Sequence, residues 1–197
     1  TSVSTVHDII VNISRGINMN RLSVNIPEGI SGDFEIAHYT NETTDKQWQM
    51  YLVSKDESYA NYCVLTTTTC PMPIMQDSEG EYREHQWLWD NATGDVLIGG
   101  LGIGLCNAGL ISNPNITSIT IIEKSQDVIN LVWPHCLKDN RFNLVHADIE
   151  TWTPPQDSQW DIAWFDTWCT DNTLSSQEYK ELMTTKYSSY CSELGFW

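Results

Sequence analysis

The stretch DVLIGGLGIG, residues 95–104, constrains this 197-residue chain more than any other. Val96, Leu97 and Ile98 form an apolar run without polar alternation, the pattern of a strand covered by helices on both faces. The run passes directly into Gly99, Gly100, Gly102 and Gly104, which let the backbone turn tightly and approach a ligand ahead of a helix. Three similar runs follow: SITII (118–122), FNLVH (142–146) and DIAWF (161–165). SQDVINLV (125–132) between the first two reads as a helix capped by Ser125 and stopped by Pro134. Short buried strands alternating with helices predict an α/β fold, a Rossmann-like parallel sheet with right-handed crossovers, over residues 91–197. Ser175-Ser-Gln-Glu178 opens a last helix whose Tyr179, Leu182, Met183 and Tyr190 share a face, and Gly195 stands where a helix stop belongs.

Candidate chemistry sits at four consecutive strand ends, the edge where open α/β sheets bind ligands. The glycine loop follows the first strand. Glu123 closes the second, placed to accept hydrogen bonds from both ribose hydroxyls of an adenosine. Asp148 follows the third, in VHADIE, and Asp166 the fourth, in WFDTW. The dinucleotide fingerprint GxGxxG does not fit, because its third glycine is Leu105 counted from Gly100 and Asn107 counted from Gly102. NAD is therefore the weaker cofactor expectation.

VLIGGLGIG, ITIIEKSQDVINLV, FNLVHADIETW and WDIAWFDTW, in that order, resemble the class I S-adenosylmethionine-dependent methyltransferase family. The likeness is nearest to its spermidine-synthase-like branch and to small methyltransferase-like proteins of phages, and covers about residues 72–170, with PIMQDSEGEYREH preceding the first strand. It implies that Gly100, Gly102 and Gly104 cradle the methionine portion of the cofactor and that Glu123 holds the ribose. It further implies that Asp148 and Ile149 meet the adenine and that Asp166 lies beside the sulfonium as the catalytic residue. The cofactor expected is S-adenosylmethionine or its decarboxylated form. Two features depart from the pattern. No Asp-Pro follows Asp166, where the chain reads Thr-Trp-Cys169-Thr, and the chain stops at Gly195-Phe-Trp197 where the family sheet continues, which implies a fold abbreviated at the C-terminus. Methyl transfer to a small-molecule or protein acceptor, aminopropyl transfer to a polyamine, and cofactor binding without turnover all remain open.

Residues 1–90 differ in texture. Thr5 to Asp8 resembles a capping box before a short helix carrying Ile9, Ile10 and Ile13. FEIAHYT (34–40), WQMYLVS (48–54) and YCVLTTTT (62–69) are rich in aromatic and β-branched residues and predict a small antiparallel sheet, a lid, an acceptor-side element or a dimerising arm. GEYREHQWLWDN (80–91) reads as a short helix leading into the second part. Acids outnumber bases 26 to 10, and the net charge of −16 opposes landing on nucleic acid or anionic lipid. No run is long enough for a membrane helix, and six cysteines without CxxC pairs read as scattered thiols of a reducing compartment. A cytoplasmic protein is expected. An open sheet edge beside Phe196 and Trp197 would favour a homo-oligomer. His85 and His146 flank the expected cleft, more as hydrogen-bonded structural histidines than as bases. Glu84-His85 lacks a third ligand at metal spacing, so no metal is expected.

Overall fold

A computed structural model describes residues 21–40, 61–167 and 174–197. The expected helix around Ile9 to Ile13 and the strand at 48–54 lie outside these. The described residues form two sheets in the order of the sequence. An antiparallel meander comes first: β1 (Gly29–Ser31), β2 (Phe34–Thr40), β3 (Asn61–Thr67) and β4 (Cys70–Gln76). The sequence reading carried YCVLTTTT through to Thr69, whereas Thr68 and Thr69 form the turn into β4. Pro71 and Pro73 hid that strand, and prolines are tolerated there because β4 is a sheet edge.

Two short helices follow, α1 (Glu79–Glu84) and α2 (Gln86–Asn91), broken at His85. The Ser78 hydroxyl caps α1 by accepting from the Glu81 N–H at 3.1 Å. The second sheet then begins. β5 (Gly94–Gly99), α3 (Leu105–Leu110), β6 (Ile116–Glu123), α4 (Gln126–Val132), β7 (Phe142–His146) and β8 (Trp160–Phe165) alternate as the apolar pattern requires. Ser125 caps α4 through the Val128 N–H at 3.2 Å. The strand order is β7-β6-β5-β8-β9, every neighbour parallel, so the fold is a Rossmann-like α/β sheet. Its direction of growth reverses between β5 and β8, where Gly99 lies opposite Phe165.

The end of the chain differs from expectation. The last helix, α5 (Ser176–Tyr187), stops earlier than Tyr190, and Cys191–Phe196 form β9, a fifth strand parallel to β8. Gly195 is thus no helix stop. It faces the indoles of Trp87 and Trp164, where any side chain would overlap the Trp87 ring. The buried face of α5 is Tyr179, Met183 and Tyr187, spaced by four, whereas Leu182 is 38% exposed.

One cluster of buried side chains joins the two sheets: Ile36, Leu65 and Met75 from the meander pack with Val96, Ile98, Ile103 and Val132. Asp77, 2% exposed, fixes the entry to this arrangement. It pairs with Arg21 at 2.9 Å and accepts from the N–H groups of Cys63 at 2.9 Å and Val24 at 3.0 Å. No helix among the described residues is long and apolar enough to cross a membrane.

Candidate functional site

The carboxyl ends of β5, β6 and β8 and the start of β7's loop open into a cavity of about 550 Å³. It lies at the point where strand order reverses, the place open α/β sheets leave a crevice between diverging loops. Gly100, Gly102, Glu123, Asp148, Ile149 and Asp166 all line it. Gly104 does not. With φ +75° it starts α3, and a side chain there would sit 2.7 Å from Cys136 Cβ, so its small size serves helix packing.

The loop after β5 is tied down from within. The Gly100 N–H donates to the Ile122 carbonyl at 2.8 Å and the Leu101 N–H to Glu123 Oε2 at 2.9 Å. Glu123 Oε1 accepts from the Ser125 N–H at 2.7 Å, so this buried carboxylate bridges the β5–α3 loop and the β6–α4 turn. A phosphate-cradling loop keeps such N–H groups for its ligand. Here Gly100, Leu101 and Gly104 have theirs committed, that of Leu101 to a carboxylate. Asp148 Oδ1 accepts from the Glu150 N–H at 2.9 Å, and the Ile149 carbonyl accepts from the Tyr187 hydroxyl at 2.6 Å and from Lys186 Nζ at 3.1 Å. Helix α5 thereby holds the loop that carries Asp148 and Ile149.

The lining is divided by charge. The parallel sheet contributes Glu123, Asp148, Glu150 and Asp166, and Lys124 is the only basic side chain among the described lining residues. The meander supplies Phe34, Leu65, Pro73, Ile74 and Met75, with Thr67, Thr69 and Cys70, and Trp197 adds an indole from the last strand's end. Gly102, at φ +51°, accommodates the Met75 thioether where a side chain would collide. Sequence reasoning offered the N-terminal sheet as a lid or acceptor-side element but named no residue of this wall, because no motif marks which strand of one sheet will pack over the edge of another.

Behind Asp166 lies a buried polar group. His85 is 0% exposed, and its Nε2 sits 3.1 Å from Asp166 Oδ2. Its Nδ1 is 2.8 Å from the Glu81 carbonyl, and the ring lies between the indoles of Trp89 and Trp164. Glu81, His85 and Asp166 each offer a donor atom within 4.8 Å of the others. Burial, reinforced by the Asp166 charge, pushes the Glu81 carboxyl up to about 8. Burial opposes a charge on His85, but contact with Asp166 and Cys106 overrides it and holds the imidazole well above its ordinary value. Glu81 and His85 stand four apart in GEYREH, one face of a helix turn, and that spacing was the available signal. His146 is exposed, against the Lys124 carbonyl at 3.1 Å, and does not line the cavity.

No family model and no curated protein matches the chain. Among solved structures it is similar to a S-adenosylmethionine-dependent methyltransferase from Clostridium acetobutylicum (17% identity, 55% of this chain and 43% of that one, TM-score 0.37). A dimethyladenosine transferase from Plasmodium falciparum matches at 17% identity over 54% of this chain and 35% of the other, TM-score 0.37. Spermidine synthase from Thermotoga maritima matches at 13% identity over 81% and 52%, TM-score 0.36. The chain spans between about a third and a half of the length of these proteins. With identity and overlap this low, any functional reading rests on the site's own geometry.

Proposed function

We propose that the cavity binds S-adenosylmethionine or a close relative, and that the protein is a transferase moving the methyl group to a small-molecule or protein acceptor. The carrying observation is the acid-lined crevice at the strand-order reversal, where the Gly100 and Leu101 N–H groups of the loop are spent on the Ile122 carbonyl and on Glu123. That arrangement is unfavourable to a pyrophosphate and favourable to a phosphate-free nucleoside bearing a sulfonium cation.

The residues present fit such a group. Glu123 is buried with both oxygens held in place by backbone N–H groups, and each oxygen keeps a lone pair for a ribose hydroxyl. Asp148 and Ile149 would meet the adenine, and Gly100 and Gly102 let the backbone approach the methionine portion. When bound, the cofactor supplies an activated methyl group. The chain's task is then orientation and exclusion of water, with Asp166 accepting a proton from the acceptor at the cavity's polar end. A nucleic-acid acceptor suits neither the −16 charge nor the lining. The single lysine among four acids favours a second reading, a decarboxylated cofactor and aminopropyl transfer, since that ligand brings no carboxylate into the acidic lining.

Thermal unfolding tests the reading. S-adenosylmethionine or S-adenosylhomocysteine at a hundredfold excess over Kd stabilises the protein by about 2.7 kcal/mol, and NAD does not. A larger shift with NAD overturns the assignment. A larger shift with decarboxylated than with intact S-adenosylmethionine selects the second reading. Turnover of methyl-labelled cofactor separates a transferase from a protein that only holds the nucleoside.

A further inference from the structure

We infer that His85 is a positioning residue for Asp166: it carries a proton on Nε2, shares it with Asp166 Oδ2, and so presents the remaining carboxylate oxygen to the cavity. This rests on the reading of the cavity as a transferase site.

The argument begins with the tautomer. A carbonyl oxygen only accepts, so the 2.8 Å contact of Nδ1 with the Glu81 carbonyl requires a proton on Nδ1. A neutral ring would then turn the Nε2 lone pair toward a carboxylate oxygen 3.1 Å away, two acceptors in contact. Both atoms are shut from solvent, and neither makes a hydrogen bond to any other group among the described residues. A proton between them removes the conflict. It belongs on Nε2 because the Asp166 carboxylate faces the ring from the end of β8 and compensates its charge; the other groups facing the ring are Glu81 from α1 and the Cys106 thiol from α3. Glu81 stays protonated, its carboxyl raised by burial and by Asp166, and accepts at Oε2 from Gln76 Nε2 at 3.1 Å. The cluster is then one imidazolium, one carboxylate and one neutral acid, without net charge.

The consequence is directional. Oδ2 is buried, so the 17% exposure of the Asp166 side chain belongs to its other atoms, and Asp166 lines the cavity. With Oδ2 held by Nε2, the carboxylate cannot swing, and Oδ1 is aimed at whatever occupies the polar end. The partner it suits is a nucleophile arriving with a hydrogen to donate, such as an amine, hydroxyl or thiol.

The test is side-chain nitrogen NMR on the full chain, with the His85 resonances assigned by their loss in His85→Gln. The expected spectrum shows both His85 nitrogens protonated at pH 7.5. In Asp166→Asn, whose amide can donate to Nε2, the ring becomes neutral with the proton on Nδ1, and its titration midpoint falls by at least about one pH unit. Glu81→Gln keeps the charged ring. A neutral ring in the unaltered protein at pH 7 overturns the inference, and that measurement stands even if a variant fails to fold. An unchanged midpoint in Asp166→Asn overturns it as well. So does displacement of the Nε2 proton by added zinc at stoichiometric concentration, which would make the cluster a metal site. If the charged ring is found and no sulfur nucleoside shifts the melting temperature, the cavity reading falls and the ion pair stands. If nucleosides bind and the ring is neutral, only the positioning role falls.

Discussion

The two walls of the cavity are built on opposite plans. The parallel wall ends its strands in acids: Glu123 is held by two backbone N–H groups, Asp148 by one, and Asp166 lies 3.1 Å from the buried imidazole. The antiparallel wall presents uncharged side chains from β2, β3 and β4 and makes its shape through packing, as where Met75 settles over Gly102. A fixed carboxylate recognises charge and hydrogen-bond direction, whereas an apolar wall recognises bulk. Division of labour follows under the proposed function: the parallel wall selects the nucleoside, and the meander shapes the space left to the acceptor.

The sharpest way to break this comparison is Glu123→Ala. It removes the proposed acceptor for both ribose hydroxyls and leaves the Leu101 and Ser125 N–H groups without their partner, so S-adenosylhomocysteine affinity is expected to fall about 100-fold by calorimetry. A loss under threefold would mean that the parallel wall does not choose the nucleoside. Gly102→Ala comes next, as it attacks the seam between the walls. Its positive φ and the collision with the Met75 thioether cost about 1–3 kcal/mol, read as a lowered denaturant midpoint. In a Met75→Ala background the same Gly102→Ala change should cost less, since the collision is gone and only the backbone strain remains. An equal cost in both backgrounds would show that the walls are not in contact there.

A smaller effect is expected from pH. The Glu81 carboxyl is raised from about 4.5 to about 8, so the folded state holds a proton that the unfolded chain releases. Its contribution is complete below about 4.5 and is lost as pH rises through about 8, and His85, also raised, acts in the same direction. The melting temperature should therefore fall by several degrees between pH 5 and pH 9, and Glu81→Gln should flatten that slope. A slope of the opposite sign would show that the acid behind the parallel wall is ionised. The least change is expected from Ile74→Ala on the apolar wall, which should alter S-adenosylhomocysteine affinity by less than about threefold while changing which acceptors are used. A large loss of nucleoside binding there would erase the distinction between the walls.

The same contrast governs what the sequence discloses. The parallel sheet was legible because covered strands are uniformly apolar and because their ends carry glycine or acid at regular intervals, so Gly100, Gly102, Glu123, Asp148, Ile149 and Asp166 could be named and do meet at one cavity. Gly104 stands outside the lining, and the sequence could not separate it from Gly100 and Gly102, because tight helix packing and close ligand approach ask for the same residue. β9 was read as helix end because Ser192 and Glu193 break its apolar run, which an edge strand tolerates. The meander was legible as strands but not as a wall: Met75 over Gly102 depends on how two sheets pack, and local pattern does not encode that. His85 was seen, yet its partner lies 81 positions away, and only the fold joins them.

Gly109 and Gly195 touch no part of the cavity, yet each gives way to an indole, Gly109 to Trp89 and Gly195 to Trp87. Trp89 stacks on His85, and Trp87 stacks on Trp164, which leans on the same imidazole. Two glycines on separate elements thus decide where the ring behind Asp166 can sit. In a saturation screen for function, these positions would score with the ligand-facing residues, and the map of intolerant positions would extend beyond the pocket along a path of aromatic rings.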